Sequence, residues 1–402
     1  MKSTKNKPRI IPITEIEQSA FCRSTSNLKS KTLDEELKAG VRWQTIPAEY
    51  RTLEPDEVVD RIRQARLKLG KRVMVLGHHY QRDEVIQFAD YRGDSFNLSK
   101  YAAEAKDLEA VIFCGVHFMA ETADILTPPD VSVILPNLTA GCSMADMAKI
   151  ADVEDCWEEL TQLYGNEKLI PITYMNSTAA IKSLCGENGG IVCTSSNANK
   201  VFEWAFERGQ RVLFLPDQHL GRNTGLKLGI SSEEMVVWSP FKNSGGNSLE
   251  ELNRAKVVLW EGHCSVHTRF SVDQINQVRK NSPNVNVIVH PECTQDVLSS
   301  ADMNGSTEFI IKTISEANSG SEWAVGTEIS LVNRLAKEHS DKTVFCLDPV
   351  VCPCSTMYRI HPTYLLWVLE ALNDGVVLNQ IKVDMKTQEN ALIALERMLR
   401  VS

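Results

Sequence analysis

Nothing in this chain approaches the roughly 20 consecutive apolar residues of a membrane-spanning helix; its longest apolar runs are strand-sized. Basic charge is also scarce, with 43 Lys and Arg against 52 Asp and Glu and a formal net charge of −9. That balance argues against a nucleic-acid partner, which calls for a basic surface. Anionic small molecules stay open, because helix N-termini can hold them. No G-x-G-x-x-G follows an apolar run, so a dinucleotide-binding turn has no support. There is no C-x-x-C pair of the kind that builds a zinc knuckle. The opening MKSTKNKPRIIPITE is basic but lacks an apolar core and a cleavage pattern, so it does not read as a signal peptide. Eleven cysteines, an odd number scattered over 402 residues, do not form a secreted disulfide framework. A reducing cytoplasm is the expected compartment. What is present, 43% hydrophobic and 24% charged residues, is the composition of a globular protein long enough for two or three domains.

The informative feature is a threefold internal repeat. Three apolar runs end in polar or aromatic clusters, VMVLGHHYQ, LIPITYMNS and VNVIVHPEC, which contain His78, Tyr174 and His290. Each is followed further on by an apolar run and a cysteine: VSVILPNLTAGC at Cys142, VVLWEGHC at Cys264 and VFCLDPVVCPC at Cys354. The first and third units have equal spacing, 64 positions from histidine to cysteine, whereas the middle one takes 90. The polar stretch 223–250 accounts for the excess as an insertion. One thiol per repeat suggests a pseudo-threefold molecule with its thiols converging on the axis. Three thiolates around one point are a metal site, and an iron–sulfur cluster with one iron free of protein ligands fits it best.

Between these landmarks each unit has a hydroxyl-rich turn before a helical pattern: RGDSFNLSKYA, CTSSNANKVFEWA and NGSTEFIIKTI. Ser95, Ser195 and Thr307 lie 17, 21 and 17 positions after the cluster residues. Ser or Thr at a helix start caps it, and the outward N–H groups bind carboxylate or phosphate. Three such turns would set three anion-binding corners around the thiols.

Short β-rich runs alternate with helical patterns throughout, which predicts parallel sheets covered on both faces. The fold class is therefore α/β, with three Rossmann-like αβα domains around a pseudo-threefold axis. Residues 1–55 read as a polar N-terminal arm broken by prolines. The domains are expected at 56–165, 166–281 and 282–402, the last including C-terminal helices. An amphipathic helix is predicted over Pro55–Leu69 from Val58, Val59, Ile62, Ala65 and Leu69. In such sheets ligands gather beyond the carboxyl ends of the strands.

GHHYQ, the GDS turn, TAGCSMA, YMNS, TSSNA, PDQHLGR, GHCSVH, HPEC, GST and the final C-x-x-M occur in an order that resembles the quinolinate synthase family, from about Val73 to Leu372. The resemblance implies three Rossmann-like domains and the condensation of iminoaspartate with dihydroxyacetone phosphate to quinolinate, in NAD biosynthesis. It implies a 4Fe–4S cluster on Cys142, Cys264 and Cys354, with the open iron as Lewis acid toward a leaving hydroxyl. It further implies that Glu292, Tyr80, His78, Tyr174 and His290 serve catalysis. Ser95, Met175, Asn176, Ser195, Pro291 and Thr307, together with His78, Tyr174, His290 and Glu292, would bind substrate. An aspartate-oxidising or dehydrogenating enzyme would supply the iminoaspartate.

Other readings of the same residues remain. His263, Cys264, His267, His290 and Cys293 could hold zinc, in a zinc-stabilised hydrolase. A non-catalytic small-molecule binding protein of the same fold class is a third. Cys114, Cys156, Cys185, Cys193 and Cys346 read as small core hydrophobes. Cys293 has no counterpart in the other repeats. Cys352 lies two residues before Cys354, but the 64-residue spacing selects Cys354.

Overall fold

The computed structural model describes residues 7–23 and 30–401. The first sheet contains β1 (Val73–His78), β2 (Tyr91–Gly93), β3 (Ala110–Cys114) and β4 (Ser132–Ile134). The second contains β5 (Leu169–Tyr174), β6 (Ile191–Cys193), β7 (Arg211–Leu215), β8 (Met235–Trp238) and β9 (Val257–Trp260). The third contains β10 (Asn286–Val289), β11 (Met303–Asn304), β12 (Glu322–Gly326) and β13 (Thr343–Cys346). A last short strand, β14 (Gln380–Ile381), joins the first sheet antiparallel to β4.

The repeat read from spacing is a repeat of topology. In every sheet the first strand of the unit lies between the second and third: β2-β1-β3, β6-β5-β7 and β11-β10-β12. Each unit's own strands pair in parallel. Parallel neighbours require crossovers, and helices supply them on both faces, as the near-continuous apolar strands demand. The stretch 223–250 contributes β8, which pairs only with β9 at the edge of the second sheet. The added length thus extends a sheet edge and leaves the strand order of the repeat unchanged.

The helix Pro55–Leu69 starts with Pro at its first position and buries Val58, Ile62, Ala65 and Leu69, the face set by the 3.6-residue period. It packs against the helix Pro362–Asn373. That helix and the following Met385–Val401 come last in sequence, after the third sheet. They nevertheless leave that sheet and seal the first two units. Met385–Val401 lies on the helix Ala179–Glu187 and on β6. Arg397 there donates to the Gly190 carbonyl at 2.6 Å.

The N-terminal arm is not a loose tail over its described length. Arg23 and Val351 form an antiparallel bridge, and Cys22 is disulfide-bonded to Cys352. Cys352 is thus part of a covalent link that no spacing in the sequence announces. Glu17 pairs with the buried Arg359, and Glu36 with Arg82 at 2.8 and 2.9 Å. Both members of the second pair are almost fully buried. Removing one partner of such a pair would strand a buried charge at a cost of about 3–5 kcal/mol.

Gly186 marks where two helices approach too closely for any side chain. A Cβ there would collide with the Asn390 carbonyl. Gly186→Ala is therefore expected to lower unfolding stability by about 1–3 kcal/mol, the usual scale of overpacking. Urea denaturation measures it, and an unchanged midpoint would contradict the close approach.

Candidate functional site

In sheets of this strand order the crevice lies at the carboxyl end of the first strand, where crossovers leave to opposite faces. The three strand-end clusters occupy that place in all three units. His78 ends β1, Tyr174 ends β5 and His290 follows β10. Two residues on come Tyr80, Asn176 and Glu292. The first and third units share a local bond as well: the Tyr80 N–H donates to His78 Nδ1 at 3.1 Å, and the Glu292 N–H to His290 Nδ1 at 3.4 Å.

One cavity collects these groups. Its lining includes His78, Tyr80, Tyr174, Asn176, His290 and Glu292, the three thiols Cys142, Cys264 and Cys354, and the hydroxyls Ser95, Ser195 and Thr307. It holds about 670 Å³ of empty space, part of it open to solvent, and among the described residues its lining contains no Lys or Arg. Met175 and Pro291 are not among the lining residues. Met175 is buried behind the cluster, and the Pro291 carbonyl accepts from Asn223 at 2.9 Å.

The three hydroxyl residues reach the cavity, but none of them is the helix cap. Asp94 caps Ser95–Ala103 by accepting from the Asn97 N–H, and Ser306 caps Thr307–Glu316 by accepting from the Phe309 N–H. Asn197 holds the N-cap position of Ala198–Phe206. The period places a helix start only to within a residue or two, so Ser95 and Thr307 sit one position inside. Their neighbours take over the capping.

Glu292 is the hub of the buried polar network. Its carboxylate accepts from the Tyr174 hydroxyl at 2.6 Å and pairs with His267 Nδ1 at 3.0 Å. His267 stacks on His290 with ring centroids 4.3 Å apart. Burial works against ionisation of Glu292, but His267 and the Tyr174 hydroxyl outweigh it and hold the carboxyl below its usual range. Asp217, fully buried nearby, goes the other way: burial and the Glu292 charge push it well up. Glu292 therefore carries the charge of this pair and Asp217 the proton.

Burial pulls both His78 and His290 down to about 3, so each is neutral at ordinary pH. Because each Nδ1 accepts a backbone N–H, the ring proton sits on Nε2, leaving a neutral N–H donor. The Tyr80 hydroxyl shares hydrogen bonds with Thr307 Oγ1 at 3.1 Å and Thr327 Oγ1 at 2.9 Å. Burial and the Glu292 charge push its pKa well up, so it keeps its proton. Lys182 is fully buried behind the Tyr174–Ser177 turn and donates to the carbonyls of Met175 (2.9 Å) and Ser177. It fixes the loop that presents Asn176, whose Oδ1 is buried without a partner among the described residues.

Asp217, Thr327 and Lys182 escape the sequence reading as site residues, and His267 enters it only through the zinc alternative. A three-residue offset from Cys264 hints at His267, and PDQH contains Asp217. Thr327 and Lys182 give no signal, because a lysine or threonine after an apolar run is commonplace. The zinc set is not gathered as a whole: His263 bonds Glu15 of the arm, and the Cys293 thiol points to the Gly326 carbonyl. Among the described residues, three donor atoms lie within 4.8 Å of one another only at Cys264, His267 and Glu292. Both nitrogens of that imidazole are engaged by Glu292 and Thr327. The thiols of Cys142, Cys264 and Cys354 do not close to ion size, whereas tetrahedral zinc would hold sulfurs about 3.8 Å apart.

The family described as "Quinolinate synthetase A protein" matches residues 60–400 of the chain. The quinolinate synthase of Corynebacterium glutamicum is 60% identical over 90% of this chain and 91% of its own length. That of Nocardioides sp. is 56% identical over 85% and 89%, and that of Rhodopirellula baltica 52% over 88% and 93%. With its three αβα units and this extent of identity, the chain belongs to the quinolinate synthase family.

Proposed function

We propose that the chain condenses iminoaspartate with dihydroxyacetone phosphate, releasing phosphate and water to give quinolinate, in the cavity between its three units. The observation that carries this reading is that one cavity is lined by a thiol and a strand-end cluster from each unit. Cys142, Cys264 and Cys354 would hold a 4Fe–4S cluster; three soft ligands without a fourth suit it, and their spacing exceeds that of a single ion. When bound, such a cluster supplies a Lewis-acidic iron that assists loss of hydroxide, a poor leaving group.

The protein groups divide the remaining work. Glu292 is the charged base, oriented by Tyr174 and His267 on its two oxygens, and accepts protons as the ring forms. Tyr80 keeps its proton and donates to oxygens of the substrate. The neutral Nε2–H groups of His78 and His290 bind carbonyl or carboxylate oxygens without adding charge. The unpartnered Asn176 Oδ1 calls for a donor, which an imine N–H or a hydroxyl supplies. With no Lys or Arg lining it among the described residues, phosphate and carboxylates fall to the hydroxyls of Ser95, Ser195 and Thr307 and to helix N–H groups. Iminoaspartate would come from an enzyme that oxidises or dehydrogenates aspartate.

Cys142→Ser, Cys264→Ser and Cys354→Ser are each expected to abolish cluster retention, while Cys193→Ser and Cys293→Ser keep it. Iron and acid-labile sulfide, determined after anaerobic purification, decide the matter. A full complement in any of the first three variants would remove that residue from the ligand set.

Glu292→Gln is expected to keep the cluster and lower turnover by roughly a hundredfold or more, the usual scale for an acid–base group. Steady-state kinetics with both substrates under argon measure this. Near-normal turnover would leave Glu292 with a structural role only.

A further inference from the structure

The N-terminal arm has no counterpart in the threefold repeat, yet its short helix Ile13–Ile16 and following turn Glu17–Phe21 meet all three cysteine loops. Thr14 Oγ1 donates to Asp146 Oδ2 at 2.7 Å, and the Asp146 N–H is bonded to the Cys142 carbonyl at 2.9 Å. Glu15 Oε1 pairs at 2.9 Å with Nε2 of His263, the residue before Cys264. Gln18 spans Cys354: its Nε2 donates to the Pro353 carbonyl at 3.1 Å, and its Oε1 accepts from the Ser355 N–H at 3.3 Å. Thr14 and Gln18 are buried in these contacts. At the far end of the segment, Cys22 is covalently joined to Cys352, two residues from the third thiol.

The three loops come from three separate sheets, so no single hydrogen-bonded sheet sets their mutual spacing. The first two touch directly through Ser143 Oγ and Ser265 Oγ at 3.2 Å. The arm reaches those two and the third within five residues of sequence. Buried side-chain bonds of this kind fix loop geometry, and a site built from several elements is only as rigid as its supports.

We infer that Thr14, Glu15 and Gln18 are positioning residues that hold the Cys142, Cys264 and Cys354 loops in register across the three units, with the Cys22–Cys352 link anchoring the segment that carries them. The inference rests on the cluster reading above only for its consequence: loops held in register keep a shared cofactor longer.

The test compares the full chain, purified anaerobically, with its T14V/E15A/Q18A variant, iron and sulfide being counted on the same samples. Amide hydrogen exchange in segments 141–146, 263–267 and 353–357 should quicken together by on the order of tenfold in the variant, as expected when local opening becomes easier. Strands β1, β5 and β10 should be unaffected. In samples of equal iron and sulfide content, the variant's cluster absorbance should also bleach faster in air. The single variants Thr14→Val, Glu15→Ala and Gln18→Ala should each loosen mainly the loop that their side chain touches, which keeps the test decisive if the triple variant folds poorly. Unchanged exchange in the three segments would overturn the inference. Absence of iron and sulfide from the parent chain would instead overturn the cofactor reading, while the exchange comparison would still judge the arm.

Discussion

A parallel sheet exposes its polar business at one edge, and the rest of this structure depends on three such edges facing one point. Buried on both faces, the strands carry mostly apolar side chains along their length. Polar groups therefore concentrate at the carboxyl end, where the strand opens into a loop. His78, Tyr174 and His290 all stand at that transition. Because each first strand is flanked by its second and third, the crossovers diverge there and leave a crevice. Three crevices brought together make a cavity that no single unit could enclose.

Within that cavity the threefold pattern is broken by chemistry. Position two after the strand end is Tyr80 in one unit, Asn176 in the next and Glu292 in the third. Of the three, only Glu292 is a carboxylate, and it organises its neighbours: it accepts from Tyr174, orients His267 and, on top of burial, helps Asp217 keep its proton. A buried carboxylate set among imidazoles and protonated phenols is an arrangement in which one acceptor has several donors. The same scaffold position thus presents a phenol, an amide and a carboxylate, by substitution at equivalent sites.

Elements outside the repeat close the assembly. The C-terminal helices cross from the third unit to the first two, and the arm crosses all three cysteine loops from outside. Both pass over the sheets without pairing to the edges that set strand order, apart from the short strand β14. Their role is to fix units against one another, which a repeat joined only by short connections would leave to side-chain packing alone.

Much of this was legible in the chain itself. Equal spacing between His78 and Cys142 and between His290 and Cys354 pointed to equal folds, because the same strands and crossovers take up the same length of chain. Continuous apolar runs meant parallel strands, and the period from Val58 to Leu69 set a helix and its buried face. The strand-end clusters and the cysteines could be picked out as one site because the repeat put them at matching places. Other features belonged to the tertiary structure alone. Short strands such as β2, β8, β11 and β14 exist only because a neighbour offers hydrogen bonds. Which residue caps a helix turned on a shift of one position, beyond the resolution of periodicity. His267 and Lys182 became site residues through contacts with Glu292 and with the Tyr174–Ser177 turn. The pairing of Cys22 with Cys352 joins positions 330 residues apart, and no local pattern encodes a contact made only when the arm lies across the finished fold.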